Sequence, residues 1–156
     1  MDNKILGLQK GKVEELVVNL NELLANFQVY YQNLRGLHWN IKGKSFFELH
    51  VKFEELYTDS QEKVDLIAER ILTLEGTPLH TFDDYLSLVS ITIGNNISQD
   101  REAVQLVVES LNRLIEIERV ILSKSGKADD EGTNSLMSDF VAEQEKTLWM
   151  MKAWLG

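Results

Sequence analysis

Residues 38–69 hold five side chains that could together bind a transition metal. The stretch opens with His38, continues with His50 and Glu54, and ends with Asp65 and Glu69. Imidazole and carboxylate groups are ligands that iron, manganese and zinc accept in proteins. The last four residues form two pairs with a spacing of four, so on a helix the members of each pair share a face. The pattern therefore predicts two half-sites on one helix surface.

The distance between the two pairs prevents a single helix from closing one site with both. Glu54 and Asp65 are eleven residues apart, close to three whole turns, so both pairs lie on nearly the same side. At a rise of about 1.5 Å per residue, they are roughly 16 Å apart along the axis. Metal ligands lie only about 2.0–2.2 Å from the ion. Two copies packed antiparallel about a two-fold axis could bring the first pair of one copy to the second pair of the other. We therefore hypothesise a metal site shared across a symmetric dimer, with two sites per dimer.

A solvated acidic helix is the alternative interpretation of the same residues. Taken singly, each of the five is ordinary on an exposed helix or at a helix end, and spacing alone leaves both interpretations open. The same helix face also carries Phe47 and Leu72, one at each end of the acidic patch. Charged groups avoid such surroundings unless they are paired or metal-bound. We interpret this face as a second buried surface that packs against a partner helix.

The composition is that of an acidic chain without cysteine. Lys and Arg total 16 and Asp and Glu total 25, which gives a formal net charge of −9. This balance disfavours nucleic acid as a partner and favours cations. The absence of cysteine excludes disulfides and thiolate metal sites. The N-terminus lacks the apolar segment of a signal peptide, and no apolar run approaches the roughly 18 residues of a membrane span, so we expect a cytoplasmic protein without a membrane segment.

Apolar residues recur at intervals of three and four along most of the chain, which is typical of amphipathic helices. The pattern predicts a short tail over residues 1–12 and one domain over residues 13–156, with long helices over residues 13–38, 46–74, 97–123 and 133–154. We expect Ser45 and Glu48 to form a capping box at the start of the second helix. A turn is expected at residues 125–127, and the acidic run that follows it is expected to cap the last helix.

The connection between the second and third helices is long enough to join parallel neighbours. Gly76 and Pro78 are expected to end the second helix, and a short helix is expected inside the connection after Thr81. His80 has no ligand partner at helical spacing, so it is predicted to be a loop histidine. The whole pattern predicts an all-α, ferritin-like four-helix bundle with one long crossover. A di-iron centre inside one such bundle needs Glu-x-x-His on two helices, and no Glu here precedes a His by three residues.

Several motifs along the chain resemble the Dps family, the mini-ferritins known as DNA-binding proteins from starved cells. The resemblance covers nearly the whole chain, and its most specific part is the spacing of the two histidines and three carboxylates described above. The residues that carry it are Leu37-His38-Trp39-Asn40, Phe47, His50, Phe53-Glu54-Glu55-Leu56-Tyr57, Asp65, Ile67-Ala68-Glu69-Arg70, Gly76-Thr77-Pro78, Trp149-Met150-Met151 and Trp154-Leu155.

The resemblance implies a ferroxidase that stores iron. It implies an iron site at a two-fold interface, with its ligands at the positions of His38, His50, Glu54, Asp65 and Glu69. Trp39 would lie near that site as an electron donor, although a core tryptophan is an equal alternative. Twelve subunits would form a hollow shell for ferric oxide, with hydrogen peroxide as the oxidant and with zinc or manganese as competing metals.

The resemblance also implies acidic pores, through which iron would enter near the start of the last helix. The candidates are Asp130, Glu131 and Asp139. Ser135 stands where the family commonly has an aspartate, so that position supplies no carboxylate in this chain.

Two other functions stay open on the sequence alone. One is DNA compaction through the lysines of the N-terminal tail, which the −9 charge disfavours. The other is a non-catalytic helical assembly protein.

Overall fold

The computed structural model describes residues 3–156, so the first two residues of the predicted tail lie outside the described part of the chain. This part forms a short β-hairpin, four long helices and one short helix. The hairpin strands are β1 (Lys4–Ile5) and β2 (Leu8–Gln9). The helices are α1 (Lys10–Asn40), α2 (Phe46–Thr73), α3 (Phe82–Leu88), α4 (Asp100–Lys127) and α5 (Glu131–Leu155). The predicted all-α bundle with a short helix in its crossover is confirmed.

The core of the bundle is built from the apolar stripes that the sequence spacing predicts. Each long helix turns one stripe inward, and the side chains of that stripe are removed from solvent. Fully burying a side chain of this size stabilises the fold by about 1.5–3 kcal/mol. Among the largest fully buried side chains are Leu16, Leu20, Leu23, Phe27 and Leu34 of α1, Phe53 and Ile67 of α2, and Leu111 and Leu114 of α4.

Side-chain contacts between helix ends show how α1, α2 and α4 run relative to one another. Lys124, near the end of α4, donates to Oδ1 of Asn19 near the start of α1 (2.9 Å). Asn21, from the same part of α1, donates to the carbonyl of Thr77 just beyond α2 (3.1 Å). Both α2 and α4 therefore run antiparallel to α1 and parallel to each other. Parallel neighbours in a bundle need a long crossover, which residues 74–99 provide.

Three asparagines of α1 hold this crossover against the bundle. Asn33 donates to the carbonyl of Thr92 (2.8 Å) and accepts from the backbone N–H of Gly94 (2.9 Å). Asn26 accepts from the backbone of residues 90 and 91, and Asn21 accepts from the backbone of residue 79. The amide groups satisfy backbone polar groups that the loop buries against α1. The sequence analysis missed this role because it followed the apolar stripe of α1.

The ends of the long helices differ from the prediction at several points. The predicted capping box of α2 is wrong: Ser45 precedes the helix with φ −94° and ψ 15°, outside the extended conformation of most caps, and its side chain makes no cap bond. The predicted turn at residues 125–127 is also wrong, because these residues are the last turn of α4. Asp129 adopts φ 58° and Asp130 donates its N–H to the carbonyl of Ser125 (2.9 Å), which ends the helix as a Schellman motif.

The start of the chain is more ordered than the predicted tail. Helix α1 begins at Lys10 rather than at residue 13, and the antiparallel hairpin before it pairs Ile5 with Leu8. Leu6 and Gly7 both have positive φ, which a two-residue hairpin turn requires. Ile5 is buried against the bundle.

Within residues 3–156, no helix has a segment long and apolar enough to cross a bilayer.

Candidate metal centre

Two imidazole rings from different helices stack at one end of the α1–α2 pair. His38 lies in the last turn of α1 and His50 in the second turn of α2. Their ring centroids are 3.7 Å apart and the ring planes differ by 12°. His38 is only 8% exposed, whereas His50 is half-buried and faces the surface. The short turn between the helices thus brings together two residues that are twelve positions apart in the sequence.

A reciprocal pair of hydrogen bonds orients both rings. Nδ1 of His38 donates to the carbonyl of His50 (2.6 Å), and Nδ1 of His50 donates to the carbonyl of His38 (2.7 Å). A carbonyl only accepts, so each Nδ1 carries the proton. In the neutral ring, Nε2 then has a free lone pair on both histidines. Such a bond from the other ring nitrogen is the usual support of a metal-binding histidine.

Tyr57 joins the histidine pair to the first carboxylate of the predicted site. Its hydroxyl donates to Oε1 of Glu54 (3.4 Å), and its ring meets the His38 ring edge-on at 5.3 Å. The ring also packs edge-on against Tyr31 at 6.0 Å. The sequence analysis named Tyr57 only as part of a family motif and missed its contact with the site. Its position three residues after Glu54, which places both on one helix face, is the signal that could have identified it.

The second carboxylate pair lies far from the histidines of the same chain. Asp65 and Glu69 are exposed on the later half of α2, which is one continuous helix through both pairs. The rise of an α-helix therefore keeps Asp65 about 16 Å along the axis from Glu54. Residues 3–156 contain no cluster of three or more His, Cys, Asp or Glu side chains placed to hold one ion. The structure thus brings His38 and His50 together, places Glu54 one turn after His50 on α2, and leaves Asp65 and Glu69 apart from them.

Large apolar side chains flank the carboxylates on the outer face of α2. Phe47 is 81% exposed and Leu72 is 59% exposed, although both were expected to be covered by a partner helix. Val51 and Leu66 on the same helix are also exposed. Within residues 3–156, no other helix covers this face, which we call the outer α2 face. An exposed apolar surface of this kind is typical of an interaction surface.

Trp39 lies on the surface beside the histidine pair. It is 57% exposed, so it is not a core tryptophan of the single chain. The guanidinium of Arg35 lies 4.8 Å from the Trp39 ring and 5.3 Å from the Tyr31 ring, in cation–π contact with both. Arg35 thereby connects Trp39 with Tyr31, which packs against Tyr57 beside His38.

The candidate pore residues have different surroundings. Asp130 is buried, caps α5 by accepting from the N–H of Thr133 (3.1 Å), and forms an ion pair with Arg70 (2.7 Å). Its carboxylate is already bound inside the subunit, which contradicts a role as a pore ligand. Glu131 and Asp139 are exposed, as is Ser135.

His80 is exposed in the crossover and donates from Nδ1 to the carbonyl of Pro78 (3.0 Å), as expected for a loop histidine.

Comparisons with known proteins cover almost the whole chain. The family model described as a ferritin-like domain matches residues 17–156. A protein of Porphyromonas gingivalis named DNA protection during starvation protein is 40% identical over 97% of this chain and 95% of its own length. A crystal structure of the Dps protein from Vibrio cholerae O1, described as a member of a superfamily of ferritin-like diiron-carboxylate proteins, is 48% identical and has a TM-score of 0.97, covering 100% of this chain and 98% of its own.

A third comparison concerns the histidine pair. A crystal structure of Dps from Listeria innocua, 28% identical with a TM-score of 0.87, covers 90% of this chain and 94% of its own. In that variant two histidines twelve positions apart were replaced by glycine, and His38 and His50 have the same spacing here. The sequence identity over nearly the full length, together with the same bundle and crossover, establishes the family. The chain belongs to the Dps family of ferritin-like proteins.

Proposed function

We propose that this protein oxidises Fe²⁺ at sites shared between two copies of the chain and stores the ferric product as an oxide inside a closed shell. Hydrogen peroxide is the proposed oxidant, and protection against oxidative stress is the proposed consequence. The observation that carries the proposal is the histidine pair. Both Nδ1 atoms donate to backbone carbonyls, so in the neutral rings both Nε2 atoms keep a free lone pair, and Glu54 lies one helical turn after His50.

The position of the remaining carboxylates supports a site shared between subunits. Asp65 and Glu69 lie too far along α2 to reach the histidines of their own chain. The outer α2 face between the two pairs is flanked by exposed apolar side chains that a second copy would cover. In a two-fold dimer the same face serves both partners, so each contact occurs twice. One antiparallel contact would therefore complete two sites, each with histidines from one subunit and carboxylates from the other.

The ligand set suits oxidation of iron by peroxide. Carboxylates stabilise Fe³⁺ more than Fe²⁺ because the ferric ion carries the larger charge. Two Fe²⁺ supply two electrons, and the balanced step is H₂O₂ + 2 Fe²⁺ + 2 H⁺ → 2 Fe³⁺ + 2 H₂O. Taking both electrons together breaks the O–O bond without releasing hydroxyl radical. Imidazole nitrogen and carboxylate oxygen also accept zinc and manganese, which we expect to compete with iron for the same ligands.

The proposed assembly is the twelve-subunit shell expected for the family. Glu131 and Asp139 are the exposed carboxylates near the start of α5 that remain candidates for iron entry.

DNA binding is proposed to be weak. The formal charge of −9 per chain repels phosphate, and Lys12 already donates to the carbonyl of Lys127 (2.6 Å). A gel-shift assay at low salt, with and without residues 1–12, tests this expectation.

The direct test of the function is ferrous oxidation by the native protein and by a double variant. We expect His50→Ala with Glu54→Ala to slow peroxide-driven Fe²⁺ oxidation by at least about 100-fold, since replacing even a supporting residue of a metal site commonly costs 10–100-fold. The control is Gln105→Ala with Glu109→Ala, two exposed residues of α4 with the same spacing of four, which should oxidise iron at the native rate. Equal rates for all three proteins would refute the proposed function.

A further inference from the structure

A small polar cluster lies inside the bundle core, among side chains that are otherwise apolar. Glu118 of α4 is 0% exposed, and it lies beside Gln144 of α5 and near Tyr30 of α1, both also buried. A charged carboxylate is seldom fully buried without a partner of opposite charge. Glu118 occupies an inward position of α4 between Leu114 and Ile121, where the apolar stripe predicts a hydrophobic residue.

The hydrogen bonds of this cluster are incomplete if Glu118 is ionised. Nε2 of Gln144 donates to Oε1 of Glu118 (2.5 Å). Three buried polar atoms are then left without a partner: Oε2 of Glu118, Oε1 of Gln144 and the hydroxyl of Tyr30. The first two are both acceptors and belong to the two groups that the existing bond already joins. Leaving such buried atoms unpaired is unfavourable, because each has lost the hydrogen bonds that it makes with water in the unfolded chain.

One proton would satisfy two of these three atoms. A carboxylic acid and a primary amide can form a ring of two hydrogen bonds, N–H to the acid oxygen and O–H to the amide oxygen. The first bond is present, and protonation of Oε2 of Glu118 supplies the donor for the second. Tyr30 lines a cavity of about 250 Å³, but its hydroxyl is not accessible to solvent and keeps no partner.

Burial, rather than the surrounding charges, favours the neutral form of Glu118. Burial raises the pKa of Glu118 to about 8, although Gln144, Lys63 and Arg119 act in the opposite direction. Lys63 of α2 is the buried cation near Glu118, and its ammonium already binds Asp59 (2.6 Å) and Glu143 (2.7 Å). Arg119 lies on the surface and pairs with Glu145. Neither cation therefore neutralises an ionised Glu118, while α1 contributes only the uncharged Tyr30.

We propose that Glu118 is protonated in the folded subunit and forms a two-bond acid–amide pair with Gln144, so that the bundle core is a proton-binding site. The proton is held only while α4 and α5 are packed together, because the unfolded chain exposes an ordinary glutamate. Folding stability is then linked to pH. The contribution is complete below the unfolded pKa of about 4.5 and is lost as pH rises through the folded pKa of about 8.

The test combines an infrared measurement with the pH dependence of unfolding. Native protein carrying isotope-labelled glutamate should show, at pH 6.5, the carbonyl band of a protonated carboxylic acid. The band should vanish in Glu118→Gln, which keeps a two-bond ring between amides, and remain in the control Glu109→Gln on the exposed side of α4. Between pH 5 and pH 7.5 the folding equilibrium constant of native protein should fall, relative to that of Glu118→Gln, by up to about tenfold per pH unit.

Two results would overturn the proposal. One is the absence of a protonated carboxyl band in native protein at pH 6.5, a measurement that needs no variant to fold. The other is an ionised Glu118 that holds a bound cation with the oxygens of Gln144 and Tyr30. In that case a band absent from untreated protein would appear after dialysis against a chelator. A band unaffected by the chelator and specific to Glu118 supports the proton site.

Discussion

Protonation of Nδ1 in His38 and His50 follows directly from the backbone they contact. Each ring donates to the carbonyl of the other residue, so the two bonds form together when α1 and α2 meet. A substitution that moves either helix end changes both rings. In the proposed site both rings would therefore be oriented before any metal binds, which would lower the entropic cost of forming the site.

Tyr57 supports this site without being one of its proposed ligands. We predict that Tyr57→Phe weakens binding of Co²⁺, a spectroscopic substitute for Fe²⁺, by up to about 10-fold, because Glu54 loses a hydrogen-bond donor. We expect this small loss of metal affinity because the hydrogen bond from Tyr57 to Glu54 is long, at 3.4 Å. Titration of the cobalt absorption band measures it. Tyr85→Phe is the matched control, since the Tyr85 hydroxyl donates to the carbonyl of Leu79 in the crossover. Unchanged affinity in Tyr57→Phe would exclude this supporting role.

The sequence predicted the candidate ligands but not the groups that support them. Spacing identifies His50, Glu54, Asp65 and Glu69 because helical periodicity is a local property of the chain. The stacking of His38 on His50 depends on how the turn between two helices closes, which periodicity does not describe. Glu118 was missed for a related reason, since a carboxylate inside an apolar stripe is understood only when its partner on α5 is known.

At the scale of the elements, α2 and α5 are joined mainly by long polar side chains. Arg70 and Lys63 of α2 reach Asp130 and Glu143 respectively. Gly132 lies directly beneath Arg70, where a Cβ atom would approach the guanidinium to 2.8 Å. The start of α5 is therefore fixed to the end of α2 by one capping residue that also forms an ion pair.

We predict that Asp130→Ala lowers the free energy of unfolding by about 3 kcal/mol. The change removes the cap of α5, which contributes roughly 0.5–2 kcal/mol, and leaves the partly buried guanidinium of Arg70 without its carboxylate. Denaturant unfolding followed by circular dichroism measures the loss. Asp139→Ala, an exposed change on the same helix, should alter stability by less than about 0.5 kcal/mol. Similar losses in the two variants would show that the Asp130 cap and its ion pair with Arg70 make no specific contribution to the free energy of unfolding.

Helix positions could be predicted from the sequence more readily than helix ends. Apolar stripes long enough to bury one face identify all four long helices. The end of α4 was misplaced because a turn was expected at residues 125–127, whereas the helix continues to Lys127 and Asp129 adopts the left-handed conformation just beyond it. A glycine favours that conformation but is not required for it. The crossover contacts of Asn26 and Asn33 were also missed, since buried amides give no periodic signal.

For the whole molecule, assembly is proposed to be a condition of the chemistry. The outer α2 face combines the half-sites with exposed apolar side chains, so the same contact would bury Leu72 and complete the metal ligands. We predict that Leu72→Glu shifts the protein to monomers and lowers iron oxidation by at least about 10-fold while every ligand remains, because a buried, unpaired charge opposes the dimer. Sedimentation velocity and an oxidation assay measure the two effects on one sample.

The matched control is Leu6→Glu in the hairpin turn. Leu6 and Leu72 are exposed to nearly the same extent, at 60% and 59%. The control variant should remain assembled and active. A monomeric Leu72→Glu protein that oxidises iron at the native rate would contradict the requirement for assembly.

Mixed oligomers test the shared site most directly. One variant carries His50→Ala with Glu54→Ala, the other Asp65→Ala with Glu69→Ala, and each is tagged differently so that mixed assemblies can be purified. Alone, each variant is predicted to lack ferroxidase activity, because every shared site loses two of its five proposed ligands. In random equal mixtures half of the dimers are mixed, and each mixed dimer regains one of its two sites, so the account predicts about one quarter of the native activity. Mixed assemblies with no activity above that of the separate variants would contradict a site shared between subunits.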